Sequence, residues 1–207
     1  MKKLGIVICV QLLTILLFVS SIANAADWRF PLGLTYVNNF KDVFDIYENN
    51  LEAQGVLVVD SLFLPVGLSV HPYVQFDNGL GVGSSLGPIA FISATSNSDV
   101  DANFFDLPLG LDLRYTPLAK ETISPYIRGG VRYHIANGDF VEESTPGFFG
   151  AIGIEFARKR TIGFGMEIAY DSSEIELEKF KKQGSKLIRS TEVIRPYGLM
   201  ASIFIVF

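Results

Sequence analysis

The chain has 207 residues, a length for one domain. Its 17 Lys and Arg against 22 Asp and Glu give a net charge of −5, which leaves no footprint for nucleic acid. Two histidines exclude a multi-histidine zinc site, and with no phosphate loop, CxxC or EF-hand spacing no metal and no cofactor is expected.

Residues 1–25 have the form of a secretory signal peptide. Lys2 and Lys3 precede an apolar run from Leu4 to Val19, and Ala23-Asn24-Ala25 ends the segment in a small-x-small cleavage pattern. The run is short for a spanning helix, and Cys9 sits too early for a lipoprotein cysteine. Removal is expected to leave 26–207 as one domain without cysteine. Losing Lys2 and Lys3 leaves 15 basic residues against 22 acidic ones, a net charge of −7. No later apolar run is long enough for a transmembrane helix, so entry into a membrane requires a closed barrel.

From residue 29 onward a period of two dominates. Strands are predicted near 29–37, 62–76, 80–93, 104–116, 123–136, 147–158, 161–173 and 192–207. Between the first two, Lys41 to Gln54 carries Val43, Phe44, Tyr47 and Leu51 at helical spacing; an amphipathic helix and an irregular loop are both open there. The clearest strand is Phe105 to Tyr115, with Phe105, Leu107, Leu109, Leu111, Leu113 and Tyr115 on one face. Asp106, Pro108, Gly110, Asp112 and Arg114 lie on the other. Asp77-Asn78-Gly79, Pro117–Thr122 and Arg158–Thr161 are short turns. The connections near 38–61, 94–103, 137–146 and 174–191 are long. Glu174, Glu176, Glu178, Lys179, Lys181, Lys182 and Lys186 in the last suggest a solvated hairpin tip rather than a binding patch. A P-x-G-L pattern recurs at Pro31, Pro65, Pro108 and Pro196 and reads as repeated barrel geometry.

The expected fold is all-β: an eight-stranded antiparallel up-and-down transmembrane barrel, with short periplasmic turns and long extracellular loops. A soluble barrel with the apolar face inward is the competing arrangement. In the membrane form, the polar faces place Asp106, Asp112, Arg114, Arg128, Arg132, His134, Glu155, Glu167 and Asp171 in the lumen. Pairing across the 117–122 turn at positions summing to about 240 sets Asp112 opposite Arg128 and Asp106 opposite His134. Glu155 is expected to reach Arg128 or Arg132. Buried charges of both signs read as a salt-bridged filling, with ion selection as the alternative. Trp28, Tyr36, Tyr115, Tyr133, Tyr170 and Tyr197 are candidate interface anchors.

The final strand sets Tyr197, Leu199, Ile203, Ile205 and the terminal Phe207 at alternate positions. Here residues 26–207 resemble bacterial outer-membrane β-barrel proteins, whose last strand ends this way and is read by the barrel-assembly machinery. In size and strand count the chain is similar to the small OmpA-, OmpX- and OmpW-like barrels; no stretch separates these subfamilies. The resemblance implies a Gram-negative outer-membrane location, with membrane lipid, lipopolysaccharide and the assembly machinery as partners. Gly130-Val-Arg-Tyr-His134-Ile-Ala136-Asn137 resembles the His-x-Ser-Asn motif of lipid A deacylases, but Ala136 replaces the serine. The expected role is therefore non-enzymatic, structural or surface-interacting. The alternatives are a narrow transport barrel for small or hydrophobic molecules and a lipid-modifying enzyme.

Overall fold

A computed structural model describes residues 26–96, 101–158 and 160–207. The predicted signal peptide lies outside these residues. Among the described residues, fifteen strands and one helix follow one another: β1 (Ala26–Arg29), β2 (Pro31–Val37), α1 (Phe40–Ala53), β3 (Val58–Phe63), β4 (Val66–Val70), β5 (Tyr73–Phe76), β6 (Leu80–Leu86), β7 (Ala90–Ser96), β8 (Asp101–Tyr115), β9 (Ile123–Gly138), β10 (Val141–Thr145), β11 (Gly147–Phe156), β12 (Gly163–Asp171), β13 (Glu174–Gln183), β14 (Lys186–Ile194) and β15 (Gly198–Val206).

These strands make eight antiparallel staves. β1 and β2 form the first, β3, β4 and β5 the second, β6 and β7 the third; β8, β9, β11, β12 and β15 are single staves. Proline interrupts the second and third staves, because it cannot donate to the ladder. At the third, Gly87 donates to Pro108 O at 2.9 Å and Ile89 to Leu68 O at 3.0 Å, so the break keeps its hydrogen bonds. β15 pairs with β2, Ile203 opposite Leu34, and closes the sheet. Phe30 and Phe207 exchange backbone hydrogen bonds of 3.0 and 3.3 Å at the seam. Both ends of the barrel domain therefore lie with the three short turns, at one rim.

The faces decide which way the barrel is turned. Leu34, Leu113, Ile152 and Ile203 on the outer face are 50–67% exposed, whereas Arg132, Asp171 and Glu155 on the inner face are 0–2% exposed. A protein in water would hide the first set and wet the second. The apolar-inward alternative is thus overturned, and the outer belt suits hydrocarbon. No helix among the described residues is long and apolar enough to cross a membrane.

At the other rim the chain adds structure that sequence patterning described only in part. The hairpin expected within 174–191 is present and longer than a tip: β13 and β14 pair and join β10 in a second, three-stranded sheet. The predicted strand over 192–207 divides, since Arg195–Tyr197 separate β14 from β15. The open choice at 41–54 resolves as α1, whose Phe40, Val43, Ile46, Tyr47 and Leu51 are buried. Gly55 ends it with φ +81, and Val56 donates back to Leu51 O at 3.0 Å, a Schellman closure that needs the left-handed residue. α1 packs mainly on β13, and also against β3, β7 and β14, so it lies across the barrel mouth.

Candidate lumen network and mouth

Alternation delivers one inward side chain every second residue, so each stave contributes a column, and the columns meet across a narrow interior. All nine predicted lumen residues point inward and are buried. They stack in three tiers.

The tier nearest the short turns centres on Glu155. Arg114 donates to its Oε1 at 2.7 Å, Tyr73 donates its hydroxyl to the same oxygen at 2.8 Å, and Arg158 pairs with Oε2. The Arg114 guanidinium lies over the Tyr126 ring at 3.4 Å and near that of Tyr73 at 4.3 Å, which adds cation–π attraction where water is absent. Glu155 therefore does not reach Arg128 or Arg132, as the sequence reading had it. Arg158 pairs with it instead; patterning missed this residue because alternation over the predicted strand 147–158 puts it on the outer face with Phe156. Ala157 adopts φ +55, and this left-handed turn leaves Arg158 buried at the lumen floor, bonded also to Ala119 O at 2.9 Å.

In the middle tier Arg128 makes a bidentate pair with Glu167, 2.7 Å from Nε to Oε2 and 2.6 Å from Nη2 to Oε1. Tyr126 donates to Oε2 at 2.8 Å. Asp112 stands 3.5 Å from Arg128 Nη1. The fork geometry satisfies both carboxylate oxygens and fixes the guanidinium plane.

In the third tier Arg132 donates to Asp171 Oδ2 at 3.0 Å. His134 lies between two carboxylates, 2.6 Å from Asp106 through Nδ1 and 3.3 Å from Asp171 through Nε2. Ser173 donates its hydroxyl to Asp171 Oδ1 at 2.7 Å. The Asp112–Arg128 and Asp106–His134 contacts occur, but through a register of 242 rather than 240: Asp112 is opposite Gly130 and Asp106 opposite Ala136. A slip of two residues keeps every side chain on its face, so the partners still meet diagonally.

Beyond this tier the lumen turns apolar. Ile92, Ala94, Ala102, Phe104 and Met200 from the staves join Phe40, Val43 and Tyr47 of α1, and Ile175 and Leu177 of β13, in one cluster. Tyr197, predicted as an interface anchor, is 1% exposed and belongs here. Its ring stands 4.6 Å from that of His134, and its hydroxyl donates to Pro88 O at 3.1 Å. Gly198, at φ +47, breaks the alternation between Tyr197 and Leu199 and sends the tyrosine inward. Tyr197 therefore also departs from the outward row of Leu199, Ile203, Ile205 and Phe207. Trp28, Tyr36, Tyr115, Tyr133 and Tyr170 do face outward. Burial pushes the Tyr47 hydroxyl well above its ordinary pKa.

The space left inside is small. The void bordered by His71, Arg128 and Glu167 has a volume of about 10 Å³, room for about one water. Among the described residues no group of three or more His, Cys, Asp or Glu is placed to hold a metal ion.

No protein-family model and no curated protein matches this chain. Among solved structures it is similar to the outer membrane protein OprG from Pseudomonas aeruginosa, with a TM-score of 0.59 and 13% identity over 88% of this chain and 94% of that one. The E. coli outer membrane protein W aligns at 0.47 with 16% identity, covering 88% and 98%, and neisserial surface protein A at 0.41 with 10%, covering 87% and 95%. The fold is that of the small outer-membrane β-barrels.

Proposed function

We propose that this chain is a non-conducting, non-enzymatic outer-membrane barrel that presents α1 and the β10–β13–β14 sheet at the cell surface. The observation that carries this reading is the filling of the lumen. Three tiers of paired charge occupy one half, with a void of about one water beside His71, Arg128 and Glu167, and a hydrophobic core with α1 over it occupies the other. An ion entering would have to displace guanidinium–carboxylate pairs, each of which leaves an uncompensated buried charge when broken. With both termini and the short turns on the periplasmic side, the rigid barrel serves as a stand for its outer sheet, where contact residues concentrate.

Reconstitution into a planar bilayer tests this. The intact barrel is expected to give no stepwise conductance. Steady single-channel steps, lost when Arg128 or Arg132 is neutralised, would overturn the reading in favour of an ion-selective pore. The apolar upper half of the lumen favours a second reading, in which small hydrophobic molecules enter once α1 lifts. A disulfide between α1 and β13 that abolished uptake of such a solute by whole cells would support it.

A further inference from the structure

We infer that the tip of the β13–β14 hairpin is a docking surface for the phosphorylated saccharide of the lipopolysaccharide around the barrel. The inference rests on the proposed orientation, with this sheet outside the cell.

Charge is sorted along the hairpin. Glu174, Glu176 and Glu178 lie at the barrel end, where Glu174 pairs with Arg195 at 2.6 Å and Glu178 pairs with Arg189. From Lys179 to Thr191 there are five cations and no acid. These are five of the 15 basic residues of 26–207, a stretch whose net charge is −7. Lys179 has a partner in Glu192, and Arg189 has Glu142 and Glu178. Lys181, Lys182 and Lys186 are exposed, and their side chains make no hydrogen bond or ion pair with the described residues. Three unengaged ammonium groups on one turn are flexible point donors of the kind that bind phosphate.

The tip also has a shaped side. A groove of about 460 Å³ runs between the end of α1 and β13, bordered by Asn49, Lys179, Phe180, Lys181 and Lys182. A sugar ring fits such a groove, with the Phe180 ring for its apolar face and lysines for its phosphates. Glu52 of α1 also borders it and opposes an anion. β14 is the edge of its sheet, and Lys186 and Arg189 guard that edge against another strand. A second copy of the chain is the other acidic candidate, through Asp42 and Glu52 of α1. Two chains of net charge −7 repel, however, whereas the sugar layer surrounds every hairpin that rises from the rim.

The test uses the purified full-length barrel in neutral detergent and, as probe, the deacylated, phosphorylated core oligosaccharide of lipopolysaccharide, followed by calorimetry. Binding is expected to weaken at least tenfold in the K181Q/K182Q/K186Q variant and to fade with added salt. E52Q is expected to bind two- to fivefold more tightly. Equal affinity of the triple variant, equal affinity for dephosphorylated core, or self-association that the triple variant abolishes with no saccharide bound would each overturn the inference. Protease added to intact cells separates this from the reading beneath it. Cleavage within 181–186 places the hairpin outside, and protection there would instead overturn the proposed orientation.

Discussion

Arg128 and Glu167 illustrate what a buried charge demands. Each is nearly inaccessible to water, and each answers the other through two short hydrogen bonds. Replacing Arg128 by alanine leaves the Glu167 carboxylate without its fork, at a cost of about 3–5 kcal/mol. The expected result is a lower unfolding midpoint in urea, with a large part recovered in an R128M/E167M double variant, which removes both charges at similar volume. Tyr47 makes the complementary case outside the membrane. Its hydroxyl is buried, and its pKa is raised by that burial. A raised pKa means the folded state holds the proton more tightly than the unfolded chain. The stability this contributes is fully present below the ordinary tyrosine pKa, near 10, and is lost as pH rises above it. Limited proteolysis of α1 is expected to accelerate above about pH 10 in the native protein and to accelerate less in Y47F.

At the scale of elements, α1 and β13 hold each other. The helix has no side-chain cap at Asn39 and must be stabilised by the face it buries. Asn50 bridges the two elements, donating to Glu178 O at 2.7 Å and accepting from the Phe180 amide at 2.8 Å. Leu51→Asp puts an unpaired carboxylate into the cluster beneath the helix. It is expected to expose α1 to protease while the staves below stay intact, because the paired tiers do not depend on the helix. The filled tiers stay in place in this variant, so it is expected to remain silent in a planar bilayer.

For the whole molecule, closure is the property that matters. β15 meets β2 along seven paired residues, so no stave of the barrel has a free edge. In SDS the unheated protein is expected to migrate apart from the boiled form, and recovery in the membrane fraction is expected with it. A single mobility in both states would contradict closure. The Arg128 variant should lower the temperature at which the slower conversion occurs, which links the residue-scale prediction to the fold. No such effect is expected of Leu51→Asp, which acts above the staves.

Much of this was legible in the residues. Strict alternation identified the staves and put Asp106, Asp112, Arg114, Arg128, Arg132, His134, Glu155, Glu167 and Asp171 on one face, because a strand sends successive side chains to opposite sides whatever it pairs with. The terminal row at Leu199, Ile203, Ile205 and Phe207 was readable for the same reason. Partners were not readable, because they depend on the third dimension. Glu155 meets Arg114 and Arg158 across the lumen, not a neighbour along the ladder. Arg158 and Tyr197 sit where single left-handed residues, Ala157 and Gly198, reset the alternation. The outer sheet was obscured for a further reason. Charged residues such as Glu174, Glu176 and Lys181 mark solvent on their own strand but say nothing of which strand lies beside it. Local periodicity thus determined the barrel and its faces, since both follow from the geometry of an extended chain. Tertiary structure alone decided the salt-bridge pairing and the packing of α1 over the mouth, since these arise only when distant staves close a ring.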